Sequence, residues 1–331
     1  MKKVLVTNSF SKFSPDAENL LKSHGYEVVK IKEHILTDED EVIRRYIDDD
    51  VVATINGLEP LSDKTLEAAH GLKIISKHGV GLDNIDLEDC RRHGVAVAST
   101  PGSNRQAVAD LILGLMLCLA RHISEADKSV KAGEWNGYFG TALYGKTLGI
   151  VGMGAIGREV IQRCEGFKMK VLAYDPYWDE AYAEAHSIRR CTLDQVLQGA
   201  DYISFSLHLT EQTYHMIGRR ELQLMKPTAY LINCARGAIV DPDALVEALR
   251  NKTIAGAGLD AYVNEPIAKD DPLLALDNVV LTPHIGFYTD EALTSTSLYA
   301  AENIVKYLSG DFMVDGKKPN WLAVLPESAG T

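Results

Sequence analysis

Short apolar runs rich in β-branched residues alternate with amphipathic helical stretches along most of the chain. Residues 4–7, 27–31, 51–55, 73–76 and 95–98 read as strands, with helices expected over 15–24, 38–46 and 62–70. That rhythm builds βαβ units, in which crossover helices cover both faces of a parallel sheet. Thr100, Pro101 and Gly102 interrupt it, and a helix over about 104–122 follows. It is apolar nearly all round, as a helix lodged between two domains needs to be. A second alternation begins at Thr147, with strands near Leu148, Val171, Tyr202, Tyr230, Ile254 and Val279. An amphipathic helix over 289–308 and a loop-rich tail over 315–331 end the chain, and the tail is expected to return to the first domain. The expected fold is α/β, two Rossmann-like domains with parallel sheets: residues 1–100 and 287–331 in one, 101–286 in the other.

The stretch 147–175, TLGIVGMGAIGREVIQRCEGFKMKVLAYD, adds chemistry to this pattern. An apolar strand stops at Gly152, which permits a sharp turn; Gly154 lets backbone approach a diphosphate, and Gly157 lets the following helix pack close to the strand. Phosphates then rest on unpaired N–H groups where the helix starts, at Ala155 and Ile156. The next strand ends at Asp175, placed to accept from the adenosine ribose hydroxyls and to repel a 2′-phosphate. Pro176 and Tyr177 follow with no arginine directly after the acid, so NAD is expected over NADP. A glycine triplet alone marks many turns, but strand, helix, second strand and terminal acid together specify dinucleotide binding.

A net charge of −12 argues against nucleic acid or an anionic membrane as partner, since both require a basic footprint. The five cysteines are scattered without a CxxC pair, so neither a disulfide framework nor a metal site is expected, and a reducing compartment fits. The longest apolar run, 111–120, is half of the roughly 20 residues a membrane span needs. The N-terminus enters a strand directly, without a signal core. A cytoplasmic location is the resulting expectation.

Four further loops carry candidate chemistry. SKHGVGLDNID, 76–86, follows a strand, and Gly79 and Gly81 around Val80 can turn backbone N–H groups to a carboxylate. The same loop also reads as a plain strand-to-helix turn with Asp86 as N-cap. Arg236 in NCARG ends a buried strand; its planar fork suits a carboxylate or carbonyl, and a structural ion pair is the competing reading. Glu265 in DAYVNEP and His284 in TPHIG each follow another strand of the same expected sheet. Parallel strands end on one edge, so these three can converge although far apart in sequence. There His284 can accept and return a proton, Glu265 can fix its tautomer and favour the imidazolium, and Arg236 can hold substrate. With a nicotinamide they form a hydride-transfer site. A lone histidine after a strand is commonly a satisfied core residue, so the three weigh only together.

KHGVGLDNID at Lys77, TPGSN at Thr100, GMGAIG with Asp175, NCARG, GLDAYVNEP and TPHIG, in this order and spacing, resemble the D-isomer-specific 2-hydroxyacid dehydrogenase family, phosphoglycerate-dehydrogenase-like members in particular. The resemblance implies a flavodoxin-like substrate domain and a dinucleotide-binding domain with a cleft between them, NAD as cofactor, a small D-2-hydroxy or 2-keto acid as substrate, with 3-phosphoglycerate and 3-phosphohydroxypyruvate among the candidates, and a homodimer joined through the cofactor domains. It implies Arg236, Glu265 and His284 as catalytic residues. The Lys77, His78, Gly79, Val80 and Gly81 loop and Asn104 join Arg236 and His284 on the substrate. Leu207, Thr213, Cys234, Ala235 and Gly286 line the cofactor, and Asp260 contacts the nicotinamide amide. This chain departs from the pattern with SLHLT at 206–210, with Phe287 and Tyr288 after TPHIG, and with no arginine in INGLEP, 55–60. Lys77, His78 and Arg105 are the conjectured substitutes for that positive charge. No regulatory extension follows, so serine feedback is not expected. The alternatives are an NAD-sensing binding protein of the corepressor type and, within the same fold, a formate or phosphite dehydrogenase.

Overall fold

A computed structural model of the chain describes residues 1–7, 13–31, 40–313 and 317–326. The chain divides into two compact units, one formed by Met1–Asn104 with Phe287–Thr331 and the other by Arg105–Gly286.

In the first unit, β1 (Lys3–Val6), β2 (Glu27–Lys30), β3 (Val51–Asn56), β4 (Ile74–Lys77) and β5 (Ala96–Ala98) pair in parallel in the order 2-1-3-4-5, the flavodoxin-like arrangement. Period-two alternation sorts their side chains onto two faces. Leu5, Ile75 and Val97 join one core with Ile43, Leu66 and Cys90. Val4, Val6, Ile74, Ala96 and Ala98 join the other with Ala300, Ala301 and Ile304 of the helix Asp290–Ser309. That helix therefore completes the first sheet although it comes last in sequence. A C-terminal strand, Leu322–Val324, pairs antiparallel with β5, so this sheet is mixed at its edge rather than wholly parallel. The helix expected over 38–46 appears as Asp40–Arg44; Asp38 and Glu39 lie outside the described residues, as do 315–316 and 327–331 of the tail.

The second unit contributes β6 (Thr147–Val151), β7 (Lys170–Tyr174), β8 (Ile188–Arg190), β9 (Tyr202–Phe205), β10 (Tyr230–Asn233), β11 (Gly256–Leu259) and β12 (Val279–Leu281). All pair in parallel in the order 12-11-10-9-6-7-8, a doubly wound sheet whose strand order reverses between β6 and β9. Leu148 and Ile150 pack beneath the helices Arg105–Arg121 and Ala155–Glu165. Val151, Ile203, Phe205 and Leu231 face the opposite layer, where the amphipathic helix Pro242–Arg250 buries Leu245 and Leu249. Asp241 caps that helix by accepting from Asp243 N and Ala244 N, and Pro242 starts it with a ready-made φ.

Three elements go beyond the sequence pattern. The strand Leu322–Val324 lies in the tail read as loop-rich, the edge strand β8 is too short to show a period, and the helix Ile123–Lys131 follows a kink at His122, whose φ is +52°. Among the described residues no single helix is long and apolar enough to cross a membrane.

Candidate active site

The turn after β6 is built by three glycines with different constraints. Gly152 has φ +99°, and a Cβ there would stand 2.4 Å from Ser206 O and 2.8 Å from Leu207 Cδ2. Leu207 thus packs directly on the turn. A Cβ at Gly157 would stand 2.2 Å from Gly152 O, so the helix and the turn approach as closely as backbones allow. Gly154 is the N-cap of the helix Ala155–Glu165, makes no side-chain cap bond, and a Cβ on it would meet nothing within 4 Å. Open space thus lies beside Gly154 where the helix begins with Ala155 and Ile156, at the positive end of its dipole, which fits a diphosphate. Asp175 closes the turn from β7: its Oδ2 accepts from Met153 N and its Oδ1 from Tyr177 N, both at 2.6 Å. Each oxygen keeps a lone pair for a ribose hydroxyl. The Thr213 hydroxyl is engaged within its own turn, donating to His208 O at 2.7 Å.

The chemical end lies at the carboxyl tips of β10, β11 and β12. Asn233 ends β10 buried; its Oδ1 accepts from Ala235 N at 3.1 Å and its Nδ2 donates to Arg236 O at 2.9 Å. This braces the loop that carries Cys234, Ala235 and Arg236. The Arg236 backbone is extended, and Nη1 donates to Ala235 O at 2.8 Å. A Cβ on Gly237 would lie 2.0 Å from Tyr262 C, so the arginine loop and the glutamate loop touch backbone to backbone. Glu265 Oε1 accepts from Tyr262 N at 2.9 Å, and Oε2 accepts from His284 Nδ1 at 2.6 Å. Burial alone would raise the Glu265 pKa. The His284 hydrogen bond and charge, the Tyr262 N–H and the Arg236 guanidinium outweigh it and hold the carboxyl below its ordinary value.

His284 has φ +53°, a left-handed conformation that histidine tolerates better than most residues and that is found at functional sites. Asp260, 2% exposed at the tip of β11, holds that backbone. Its Oδ1 accepts from Thr282 Oγ1 at 2.6 Å and Ile285 N at 2.9 Å, and its Oδ2 from Gly286 N at 2.8 Å. Burial is the largest influence on this carboxyl and raises its pKa. The resemblance assigns Asp260 to the nicotinamide amide; the structure engages both its oxygens with the turn that presents His284. The Tyr262 hydroxyl adds bonds to Leu259 O and Thr282 O, tying β11 to β12. Sequence reasoning missed these roles of Asn233, Tyr262 and Asp260. The available signal was a polar residue ending each buried strand, because such a residue must find partners in the loop that follows. Cys234 carries no redox signal, since burial, with help from Asp260, pushes its thiol pKa well up.

In the first unit the expected substrate loop begins at Lys77, 3% exposed, whose Nζ donates to Gly57 O and to Asn84 Oδ1, the latter at 2.6 Å. His78 is buried, with Nε2 2.9 Å from Ser297 Oγ; burial and then Lys77 lower its pKa to about 4, so it is neutral near pH 7. Arg105, in the other unit, pairs with Glu159 at 3.0 Å. Of the three conjectured sources of positive charge, burial keeps His78 neutral, whereas Lys77 and Arg105 keep their charge and are engaged by protein partners. Gly79 has φ +150° and its carbonyl accepts from Thr100 N and Oγ1 at 3.0 Å, which leaves Val80 and Gly81 half-buried at the loop tip. Asp86 caps the next helix, accepting from Glu88 N and Asp89 N at 2.9 Å, so that part of the plainer reading holds. Asn104 keeps a buried Oδ1 without a hydrogen-bond partner.

The sequence pattern of the D-isomer specific 2-hydroxyacid dehydrogenase NAD-binding domain matches residues 113–286. A glyoxylate reductase of Korarchaeum cryptofilum is 39% identical over 85% of this chain and 89% of its own length. The chain belongs to the D-isomer-specific 2-hydroxyacid dehydrogenases. It is an NAD-dependent oxidoreductase of that family. A D-3-phosphoglycerate dehydrogenase of Methanocaldococcus jannaschii is also 39% identical over 94% of this chain, which spans 58% of that relative's length. The solved D-lactate dehydrogenase of Aquifex aeolicus, complexed with NAD and lactic acid, superposes with a TM-score of 0.78 at 28% identity, over 93% of this chain and 96% of that one.

Proposed function

We propose that this dehydrogenase reduces a small, unphosphorylated 2-keto acid such as glyoxylate or hydroxypyruvate to the D-2-hydroxy acid, or catalyses the reverse. Bound NAD(H) supplies or accepts the hydride at the substrate carbon. His284, held by Glu265 at Nδ1, presents Nε2 to the substrate oxygen, donating a proton in reduction and removing it in oxidation. Arg236 grips the substrate carboxylate and polarises the carbonyl through its planar fork. The backbone at Val80 and Gly81 and the side chain of Asn104 are assigned to the same substrate. Asp260 holds the His284 turn in place before substrate arrives, so the proton-transfer geometry is preorganised.

The Glu265–His284 bond at 2.6 Å, beside Arg236, carries this reading. The preference for an unphosphorylated acid follows from the loops 55–60 and 76–86, where the basic side chains are Lys77 and His78. Lys77 has protein partners and His78 is neutral. Relatives named glyoxylate reductase and D-3-phosphoglycerate dehydrogenase frame the choice. The test is NADH oxidation with glyoxylate, hydroxypyruvate, pyruvate and 3-phosphohydroxypyruvate. A kcat/KM highest for 3-phosphohydroxypyruvate refutes the substrate assignment, and no turnover with any keto acid despite NADH binding favours the sensor.

The active form is proposed to be a homodimer joined through the cofactor domains. Trp135 is 92% exposed and Phe139 100% exposed, in a segment that also exposes Tyr144. Large aromatics left this bare are typical of a surface that a second copy covers.

A further inference from the structure

Beside Asp175 lies a cavity of about 390 Å³ whose wall includes Pro176 from the same turn and Arg190, Thr192 and Gln195 from the next segment. Arg190 is the last residue of β8, in register with Ala173 of β7, so it leaves the sheet at the same carboxyl edge as Asp175. The neighbouring polar groups are accounted for. Thr192 and Gln195 close a capping box on the helix Leu193–Gly199, and Arg158 pairs with Asp179 at 2.8 Å. Arg190 differs: its guanidinium lies over the Trp178 ring, 5.3 Å from the centroid, and it makes no ion pair with a described residue. Stacking of this kind holds the guanidinium plane while leaving its N–H donors available.

We infer that Arg190 is a second determinant of cofactor choice, the group that receives a 2′-phosphate, so that discrimination against NADPH rests on Asp175 alone. This deepens the reading that Asp175 meets the adenosine ribose and depends on it. The cavity wall pairs one carboxylate with one unengaged guanidinium. A ribose with free hydroxyls bonds to Asp175 and asks little of Arg190. A ribose carrying a 2′-phosphate is repelled by Asp175 and attracted by the fork of Arg190, which matches phosphate oxygens two at a time. Removing the arginine charge therefore affects the two cofactors unequally.

The experiment titrates NADH and NADPH by protein fluorescence into wild type, Arg190→Gln, Arg190→Lys, Asp175→Asn and the Asp175→Asn/Arg190→Gln double variant. Binding alone is read, so the result is independent of the keto acid. Asp175→Asn should narrow the gap between NADPH and NADH. In that background Arg190→Gln should weaken NADPH by roughly ten-fold while NADH changes by less than about three-fold. Arg190→Lys should keep most of the NADPH affinity. If Asp175→Asn narrows the gap but Arg190→Gln weakens both cofactors equally, or neither, Arg190 is a packing residue and the inference falls. If Asp175→Asn leaves the gap unchanged, Asp175 does not meet the ribose and the underlying reading falls as well.

Discussion

Replacing Glu265 by glutamine keeps the side chain's shape and removes its charge. The carboxylate accepts from two donors, Tyr262 N at 2.9 Å and His284 Nδ1 at 2.6 Å. A glutamine has one carbonyl oxygen to offer, so whichever way the amide turns, one of these donors faces an NH2 group. A charge-assisted hydrogen bond is worth about 1.5–3 kcal/mol against about 0.5–1.5 for a neutral one, a difference of about 1–1.5 kcal/mol, so Glu265→Gln should lower kcat/KM for reduction by roughly 5- to 15-fold. The His284 bond also helps hold the Glu265 carboxyl below its ordinary value, a role that a neutral amide cannot take. NADH affinity should stay within about two-fold, because the lost interaction belongs to proton transfer. Steady-state assays with glyoxylate, paired with NADH titrations, read both quantities. A kcat/KM close to wild type would refute the claim that Glu265 acts through His284.

Gly157→Ala puts a Cβ where 2.2 Å separates it from Gly152 O, so the helix must leave the turn; NADH binding should weaken by at least about ten-fold, and calorimetric titration showing normal affinity would contradict the close packing. His78 has a folded-state pKa of about 4 against an ordinary 6.5, so its neutral burial stabilises the fold fully above about pH 6.5. As pH falls to about 4 that stability is lost, by up to roughly 3 kcal/mol, because the unfolded chain takes up a proton that the folded one refuses. His78→Asn should flatten this dependence in denaturant unfolding followed over that range, and an unchanged slope would show that His78 is not its source. Trp135→Ser with Phe139→Ser should convert a dimer to a monomer by light scattering, whereas an intact dimer would place the interface elsewhere.

What the sequence made legible was what short-range chemistry determines. The turn at Gly152, the helix behind Gly157 and the acid ending β7 follow from local backbone constraints, and they appear as residues 147–175 imply. The convergence of Arg236, Glu265 and His284 followed from one rule, that parallel strands end on a common edge. What was hidden depends on contacts between segments distant in sequence. Asp260 reads as a polar residue after a strand, and its task is visible only once the 282–286 turn is seen wrapped around it. Lys77 and His78 read as sources of positive charge in the substrate loop, whereas tertiary packing buries both. Arg190 went unnoticed because β8 has three residues, too few to show a period, and because its relation to Asp175 exists only across neighbouring strands.

The most direct test of the proton-transfer assignment is His284→Ala, assayed for NADH oxidation with glyoxylate and for NADH binding on the same preparation. The assignment predicts that kcat/KM falls by roughly 10²- to 10⁴-fold while NADH binds within about two-fold of wild type. Turnover within about ten-fold of wild type at unchanged NADH affinity would contradict it.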